Sequence, residues 1–357
     1  MPRFVTLRTL TPFGGALTLA LVAMGIAVPT GLIAIAVAVS VLAAVHHAEV
    51  IAHRVGEPFG TFLFAIAVTV IEVGLIVSVM QANPEGGMAL ARDTVMAAIM
   101  IILGGVTGAC LLLGGIRHGE QRYRQSGVSA ALATLAALSV ITLILPNHVT
   151  SVAGPFYATA QLAFVGVVSL VLYATFVLVQ TVRHREYFLP SDTAPLPRDA
   201  VAPLPTNGMA LASAALLIVS LFSVVFLAKA LAPTVEAAVT GAGAPKALVG
   251  VIIAGIVLLP EGLAAIRAAR ANRLQTSMNL ALGSAMATIG LTIPVVAAIA
   301  IWSDWQLVLG INGTNEVLLA LMLLVATLSL STGRTTIMQG ALHLMLFGIF
   351  LFMLVVP

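Results

Sequence analysis

The chain predicts an all-α polytopic membrane protein of about eleven transmembrane helices, and three observations carry that expectation. Of 357 residues, 60% are hydrophobic and 8% charged, with a mean hydropathy of +1.12, more apolar surface than a soluble core can hide. The apolar residues fall into runs close to the roughly 20 that a helix needs to cross a hydrocarbon core of about 30 Å. The basic residues gather in alternate gaps between those runs.

The runs are 13–29, 31–52, 59–81, 93–116, 127–146, 157–182, 208–232, 245–268, 276–301, 306–331 and 334–356. Ala, Val, Ile and Leu fill them without the polar alternation of a membrane β-strand, so helices are expected. The first run follows Arg3 and Arg8 in the manner of a signal peptide. Its apolar character continues past Pro29 to Val45 with no persuasive cleavage site, so residues 1–30 are expected to hold an uncleaved helix.

Charge then orients the bundle. With the N-terminus cytoplasmic and the C-terminus external, thirteen cations fall inside: Arg3, Arg8, Arg54, Arg117, Arg122, Arg124, Arg183, Arg185, Arg198, Arg267, Arg270, Arg273 and Arg334. Only Arg92, Lys229 and Lys246 fall outside. Cations retained on the cytoplasmic side of a lipid bilayer account for the basic balance, and no nucleic-acid partner is needed. The single Cys110 lies inside a span, which excludes a disulfide framework or a thiolate metal cluster.

Between residues 183 and 207 the only long polar break carries Pro190, Pro195, Pro197, Pro203 and Pro205, and is expected to be a cytoplasmic linker. It separates a first transmembrane repeat, 31–182, from a second, 208–357. Helices two to six would match helices seven to eleven. Five spans is an odd number, so the repeats must be inverted across the bilayer, the plan on which many transporters build a midplane site. Gly56-Glu-Pro-Phe-Gly60 opens the second helix of the first repeat and Gly241 to Gly250 the matching helix of the second, and Gly104-Gly-Val-Thr-Gly108 and Gly283 to Gly290 mark the Gly-rich helices that follow.

Two glutamates lie deep inside matched apolar runs, Glu72 in Ala67-Val-Thr-Val-Ile-Glu-Val-Gly-Leu75 and Glu261 in Ile256-Val-Leu-Leu-Pro-Glu-Gly-Leu-Ala264. A charged side chain at the bilayer centre costs about 2.5–3.5 kcal/mol on insertion scales, so a matched pair points to cation or proton binding, with protonated, hydrogen-bonded glue as the plainer reading. Burial favours the protonated carboxyl and a bound cation the ionised one, so each glutamate can hold either. Mutual exclusion of the two is antiport. A bound cation takes more oxygens than two carboxylates supply, so Thr69, Asn279, Ser284 and Thr288, with backbone carbonyls and water, are candidate secondary ligands. Each hydroxyl is equally suited to bond the preceding turn, and Asn279 to cap its helix. Pro260 denies the carbonyl of Ile256 its usual donor and is expected to leave an unwound segment there.

His46, Glu49 and His53 share a helix face near the cytoplasmic end, where they suit proton relay or pH sensing, or a wetted polar face. Glu236 and Glu316 sit near external helix ends, and His343 in the last helix suggests a hydrogen-bonded structural histidine.

His46-His-Ala-Glu-Val-Ile-Ala-His-Arg-Val-Gly-Glu-Pro-Phe-Gly60, Val70-Ile-Glu72, Leu259-Pro-Glu-Gly-Leu263, Met278-Asn-Leu-Ala-Leu-Gly-Ser284 and Ser331-Thr-Gly-Arg334 together resemble the bacterial calcium/proton (sodium/proton) antiporter branch of the calcium/cation antiporter superfamily. The resemblance spans nearly the whole chain. It implies an eleven-helix exchanger, not an enzyme, that moves cations outward as protons enter, with Glu72 and Glu261 as the central acids. Two departures stand out. The linker holds as many Arg as acidic residues where relatives are often acidic or histidine-rich, and Thr69 has no hydroxyl counterpart at Val257 or Leu258 before Glu261.

The expected function is export of Ca²⁺ in exchange for H⁺, with no resident cofactor. Na⁺/H⁺ or K⁺/H⁺ exchange on the same fold is the alternative, and a passive cation channel a more distant one. An intramembrane protease is excluded, since neither His-Glu-x-x-His nor Gly-x-Ser-Gly occurs.

Overall fold

The computed structural model describes residues 2–56, 59–82, 88–189, 204–245 and 247–356. Glu57 and Pro58 of the Gly56–Gly60 motif, Lys246 and most of the Pro-rich linker, with Arg198, lie outside the described residues.

Eleven long helices run through the described residues: α1 (Pro2–Ala23), α2 (Thr30–Val55), α3 (Phe59–Ala82), α4 (Leu90–His118), α5 (Gln125–Asn147), α6 (Thr159–Arg183), α7 (Asn207–Gly241), α8 (Ala247–Arg270), α9 (Leu274–Trp302), α10 (Gly313–Leu330) and α11 (Ile337–Val355). Nine of these, among the described residues, are long and apolar enough to cross a bilayer, and the fully described apolar parts of α1 and α3 run Thr11–Ala23 and Ile66–Ser78. The chain is an all-α polytopic membrane protein, as its composition predicts.

Several boundaries move. Helix α7 runs through Pro233 to Gly241 rather than stopping at 232. A proline forfeits one N–H donor, and Pro233 is exposed, so the helix carries on. At 35 residues it is about 52 Å long at 1.5 Å per residue, well beyond a hydrocarbon core. Helix α10 begins at Gly313, not 306, because the preceding segment pairs its backbone elsewhere: Val308 N donates to Met88 O, Leu309 N to Pro155 O and Ile311 N to Leu143 O. Asn312 then caps α10, its side chain accepting from Asn315 N at 2.8 Å. The last helix starts at Ile337 because Arg334–Thr335 pairs antiparallel with Gln121–Arg122.

The helices form two compact units. The first comprises Met1–Gly87 and Pro197–Val249, and so holds α1, α2, α3 and α7. Ala36 and Val37 of α2 pack with Leu227 and Leu231 of α7. At Gly15 of α1 an added Cβ would lie 2.1 Å from Ser40 Oγ and 3.3 Å from Ser223 Cβ, so the absent side chain allows three helices to meet.

The second unit comprises Met88–Leu196 and Gly250–Pro357. Helices α4 and α9 are each 29 residues long and each widens near its middle into a π-helical segment, Ile101–Val106 and Thr288–Thr292. One end of this unit gathers the loops at 119–124, 271–273 and 331–336. There Gln121 Nε2 donates to Ala269 O and Asn272 Oδ1, Arg124 N donates to Gln275 Oε1, and Tyr123 N donates to Gly333 O. The opposite end gathers 88–89, 148–158 and 303–312, where Arg92 donates to Gly310 O and Asn147 to Ile311 O. Arg122, Arg124, Arg273 and Arg334 belong to the first end and Arg92 to the second, the alternation expected from the charge pattern.

Tyr123 fastens the first end, its hydroxyl donating to Leu330 O at 2.8 Å, and burial pushes the phenol up to about 12. The raised value means its stabilisation is present below pH 10 and lost as pH rises toward 12. Tyr123→Phe is expected to cost about 1–2 kcal/mol by orphaning the Leu330 carbonyl. An unchanged thermal midpoint in detergent would refute that.

Candidate functional site

Each unit carries one of the two intramembrane glutamates, and both are buried. In the first, Glu72 is 3% exposed on α3 and Thr69, one turn earlier on the same helix, is 7% exposed. Gly74 follows two residues on, where an added Cβ would come 2.6 Å from a methyl of Val225, so α3 lies tight against α7 at that level of the helix.

In the second unit, Glu261 is 8% exposed on α8. Gly250 of α8 abuts Asp93 and Thr94, where a Cβ would be 2.9–3.0 Å from backbone atoms, and Gly262 abuts Val106, with a Cβ 3.2 Å from its methyl. Twelve residues on α8 thus match about twelve on α4, so the two helices run parallel, and Glu261 lies level with the end of the α4 π segment. Helix α8 is continuous through Pro260, which corrects the expectation of an unwound segment. Losing a single donor leaves the neighbouring helical bonds intact; the carbonyl of Ile256 alone misses its N–H.

The other candidates divide. Thr288 is buried at the start of the α9 π segment, and Ser284 is half-buried one turn before it. Asn279 is engaged near the start of α9, its Nδ2 donating to Phe188 O and its Oδ1 accepting from Gln275 Nε2 at 2.9 Å. Those bonds fasten the segment after α6 to α9; Asn279 lies inside the helix and does not cap it, since the N-cap position is Arg273.

Toward the end of α2, His46 is half-buried while Glu49 and His53 are exposed. The buried member of this group is one that spacing did not single out. His47 is 2% exposed, and its Nδ1 lies 3.3 Å from Ser213 Oγ of α7. Its only sequence signal is adjacency to His46, whose ring centroid is 5.4 Å away.

Other polar side chains prove more engaged than sequence suggests. Arg92 and Asp93 form a pair at 2.8 Å, and Glu316 accepts from Asn147 with His148 at 3.6 Å. His343 is fully buried and doubly hydrogen-bonded, to Leu103 O at 2.6 Å and Ser329 Oγ at 2.8 Å. Among the described residues no three His, Cys, Asp or Glu side chains cluster as a metal-holding group.

Comparison with known proteins completes the picture. The sodium/calcium exchanger protein family matches residues 13–182 and 212–356, which leaves out the central segment. The chain is 50% identical over 318 residues to y4hA of Sinorhizobium fredii (strain NBRC 101917 / NGR234), provisionally named an ionic transporter, covering 89% of this chain and 86% of that one. It is 35% identical over 317 residues to the sodium-potassium/proton antiporter ChaA of Escherichia coli (strain K12), covering 87% and 84%. Its fold is similar to the crystal structure of the H⁺/Ca²⁺ exchanger CAX, with a TM-score of 0.74 at 16% identity over 97% of this chain and 88% of that one. A match through both halves, with a 35% identical relative along most of its length, makes this chain a multi-pass transporter of the sodium/calcium exchanger protein family, within the calcium/cation antiporter superfamily that its motifs resemble.

Proposed function

We propose that the protein is a secondary active antiporter of the bacterial inner membrane that exports Ca²⁺ in exchange for protons, with Glu72 and Glu261 alternately holding cation and proton. The observation that carries this is one buried intramembrane glutamate in each half of the chain, 3% and 8% exposed. Two carboxylates that release two protons balance the charge of one Ca²⁺. Thr69, Ser284 and Thr288 are the remaining side-chain oxygens proposed for its shell, with backbone carbonyls and water. The match of residues 13–182 and 212–356 to one family supports two inverted repeats, 31–182 and 208–357, joined by the 183–207 linker, and so does the shared π-segmented design of α4 and α9. The Arg-rich end of the second unit is placed in the cytoplasm, which sets the N-terminus inside and the C-terminus outside.

Exchange of Na⁺ or K⁺ for H⁺ is the second reading, favoured by the 35% identity to the sodium-potassium/proton antiporter ChaA. One carboxylate then keeps its proton while the other balances a monovalent cation. Everted vesicles with a preformed proton gradient separate the two. CaCl₂ is expected to collapse the gradient at lower concentration than NaCl or KCl; a response to NaCl or KCl alone would establish the monovalent reading. Cation flux driven by membrane potential alone, with no proton gradient imposed, would indicate a channel instead.

A further inference from the structure

We propose that His343 is a positioning residue for the cation site: through the carbonyl of Leu103 it fixes the shape of the α4 π segment on which the helix of Glu261 rests. It touches neither the cation nor Glu261 in this role. The inference rests on the reading of Glu261 as a cation carrier.

The bonding of the ring fixes its protonation pattern. A carbonyl can only accept, so the 2.6 Å contact to Leu103 O requires a proton on Nδ1. In the neutral ring Nε2 then accepts from the Ser329 hydroxyl at 2.8 Å, while the Ser329 carbonyl is held by Gln339 Nε2 at 2.9 Å. His343 thus ties α11 to α10 through one nitrogen and to the α4 π segment, Ile101–Val106, through the other. A carbonyl oxygen has two lone pairs, so Leu103 O can accept from His343 Nδ1 and still take part in its own helix.

The packing around that bond leaves little slack. An added Cβ at Gly104 would lie 2.7 Å from Phe347 Cβ and 2.8 Å from Met322 Cε, and one at Gly108 would lie 2.9 Å from Leu344 N. One face of the segment is therefore pressed on α10 and α11. Its end, Val106, is the contact of Gly262, the residue next to Glu261. Leu103 and Val106 are one turn apart. A shift of the Leu103 carbonyl is thus passed in a single turn to the surface that supports Glu261, and close-packed interiors transmit such shifts rather than absorb them.

Three variants test this, because asparagine and glutamine each reproduce one ring nitrogen. His343→Asn places an amide near Nδ1 and keeps the Leu103 bond. His343→Gln reaches toward Nε2 and keeps the Ser329 bond, and His343→Leu loses both. In proteoliposomes titrated with CaCl₂ and, in parallel, KCl, the Gln and Leu variants are expected to raise the half-saturating cation concentration about tenfold with maximal rate within about twofold. His343→Asn is expected to stay within about twofold of the parent. Hydrogen exchange at residues 101–107 should accelerate in Gln and Leu but not in Asn.

Unchanged half-saturation in His343→Gln, or an Asn variant as impaired as Gln, overturns the proposal. Should His343→Leu fail to fold, the Asn and Gln pair still decides. Glu261→Gln runs alongside to keep two failures apart. If it transports normally, the assignment of Glu261 is wrong; if it is inactive while the His343 variants keep parental affinity, only the positioning role fails.

Discussion

Glu72→Gln and Glu261→Gln are each expected to abolish cation-driven collapse of a proton gradient in everted vesicles, while the same vesicles hold a gradient of normal size. The amide keeps the volume and much of the hydrogen-bonding capacity of the carboxyl, so the helices should still assemble. What is lost is the negative charge. A cation left in a buried site without its counter-charge is destabilised by about 3–5 kcal/mol, which is more than about 100-fold in apparent affinity. The amide also cannot take up the proton that drives the return step, so raising the cation concentration should not restore turnover. Glu120→Gln provides the control, since Glu120 is an exposed surface partner of Arg334 at 3.3 Å and a solvated pair contributes little. Parental transport in either buried variant would remove that residue from the mechanism.

Gly340→Ala is expected to have the largest effect of any single-methyl addition in the second unit. A Cβ at Gly340 of α11 would lie 2.4 Å from Leu112 N, 2.7 Å from Leu112 Cα and 2.9 Å from Gly108 O, all backbone atoms of α4. A side-chain tip could swing aside, but backbone atoms move only with their helix. Overpacking of this kind costs about 1–3 kcal/mol, and Gly340→Val should cost more, because two further methyl groups meet the same wall. The loss should appear as a lower thermal midpoint in detergent together with reduced transport, since α4 also supports the helix of Glu261. By contrast Gly348→Ala, on the same helix with nothing within 4 Å of its Cβ position, should be close to neutral. Equal midpoints for the two alanine variants would show that α4 and α11 do not rely on backbone contact.

The helical class, the number of helices and the two buried glutamates were legible in the sequence because a bilayer enforces them locally. Every spanning segment must satisfy its own backbone and bury no idle charge, so run length, composition and the position of a lone carboxylate carry the information. Glu72 and Glu261 stand out against their own neighbours, with no need of a partner helix to identify them.

Helix ends were less legible where long-range pairing set them. Gly313 opens α10, and not residue 306, because Met88, Pro155 and Leu143 supply the backbone partners of 308–311, and nothing local in that stretch announces residues 150 or more positions away. The continuity of α7 through Pro233 and of α8 through Pro260 was hidden for a similar reason, since proline removes one donor and the surroundings decide whether the helix breaks.

Which polar residues are working parts depended most on tertiary structure. His46, Glu49 and His53 share a face by spacing, yet the adjacent His47 is the one turned inward onto Ser213, because burial is set by where α7 lies and not by period alone. Asn279 has the chemistry of a ligand and is held by Phe188 and Gln275. The sequence alone determined that this is a polytopic membrane protein with a carboxylate in each half, because run length and the position of a lone charge are readable within each segment. Only the tertiary structure decided what the helices of those carboxylates pack against, Val225 at Gly74 of α3 and Val106 at Gly262 of α8, because a contact between distant helices depends on packing that no single segment encodes.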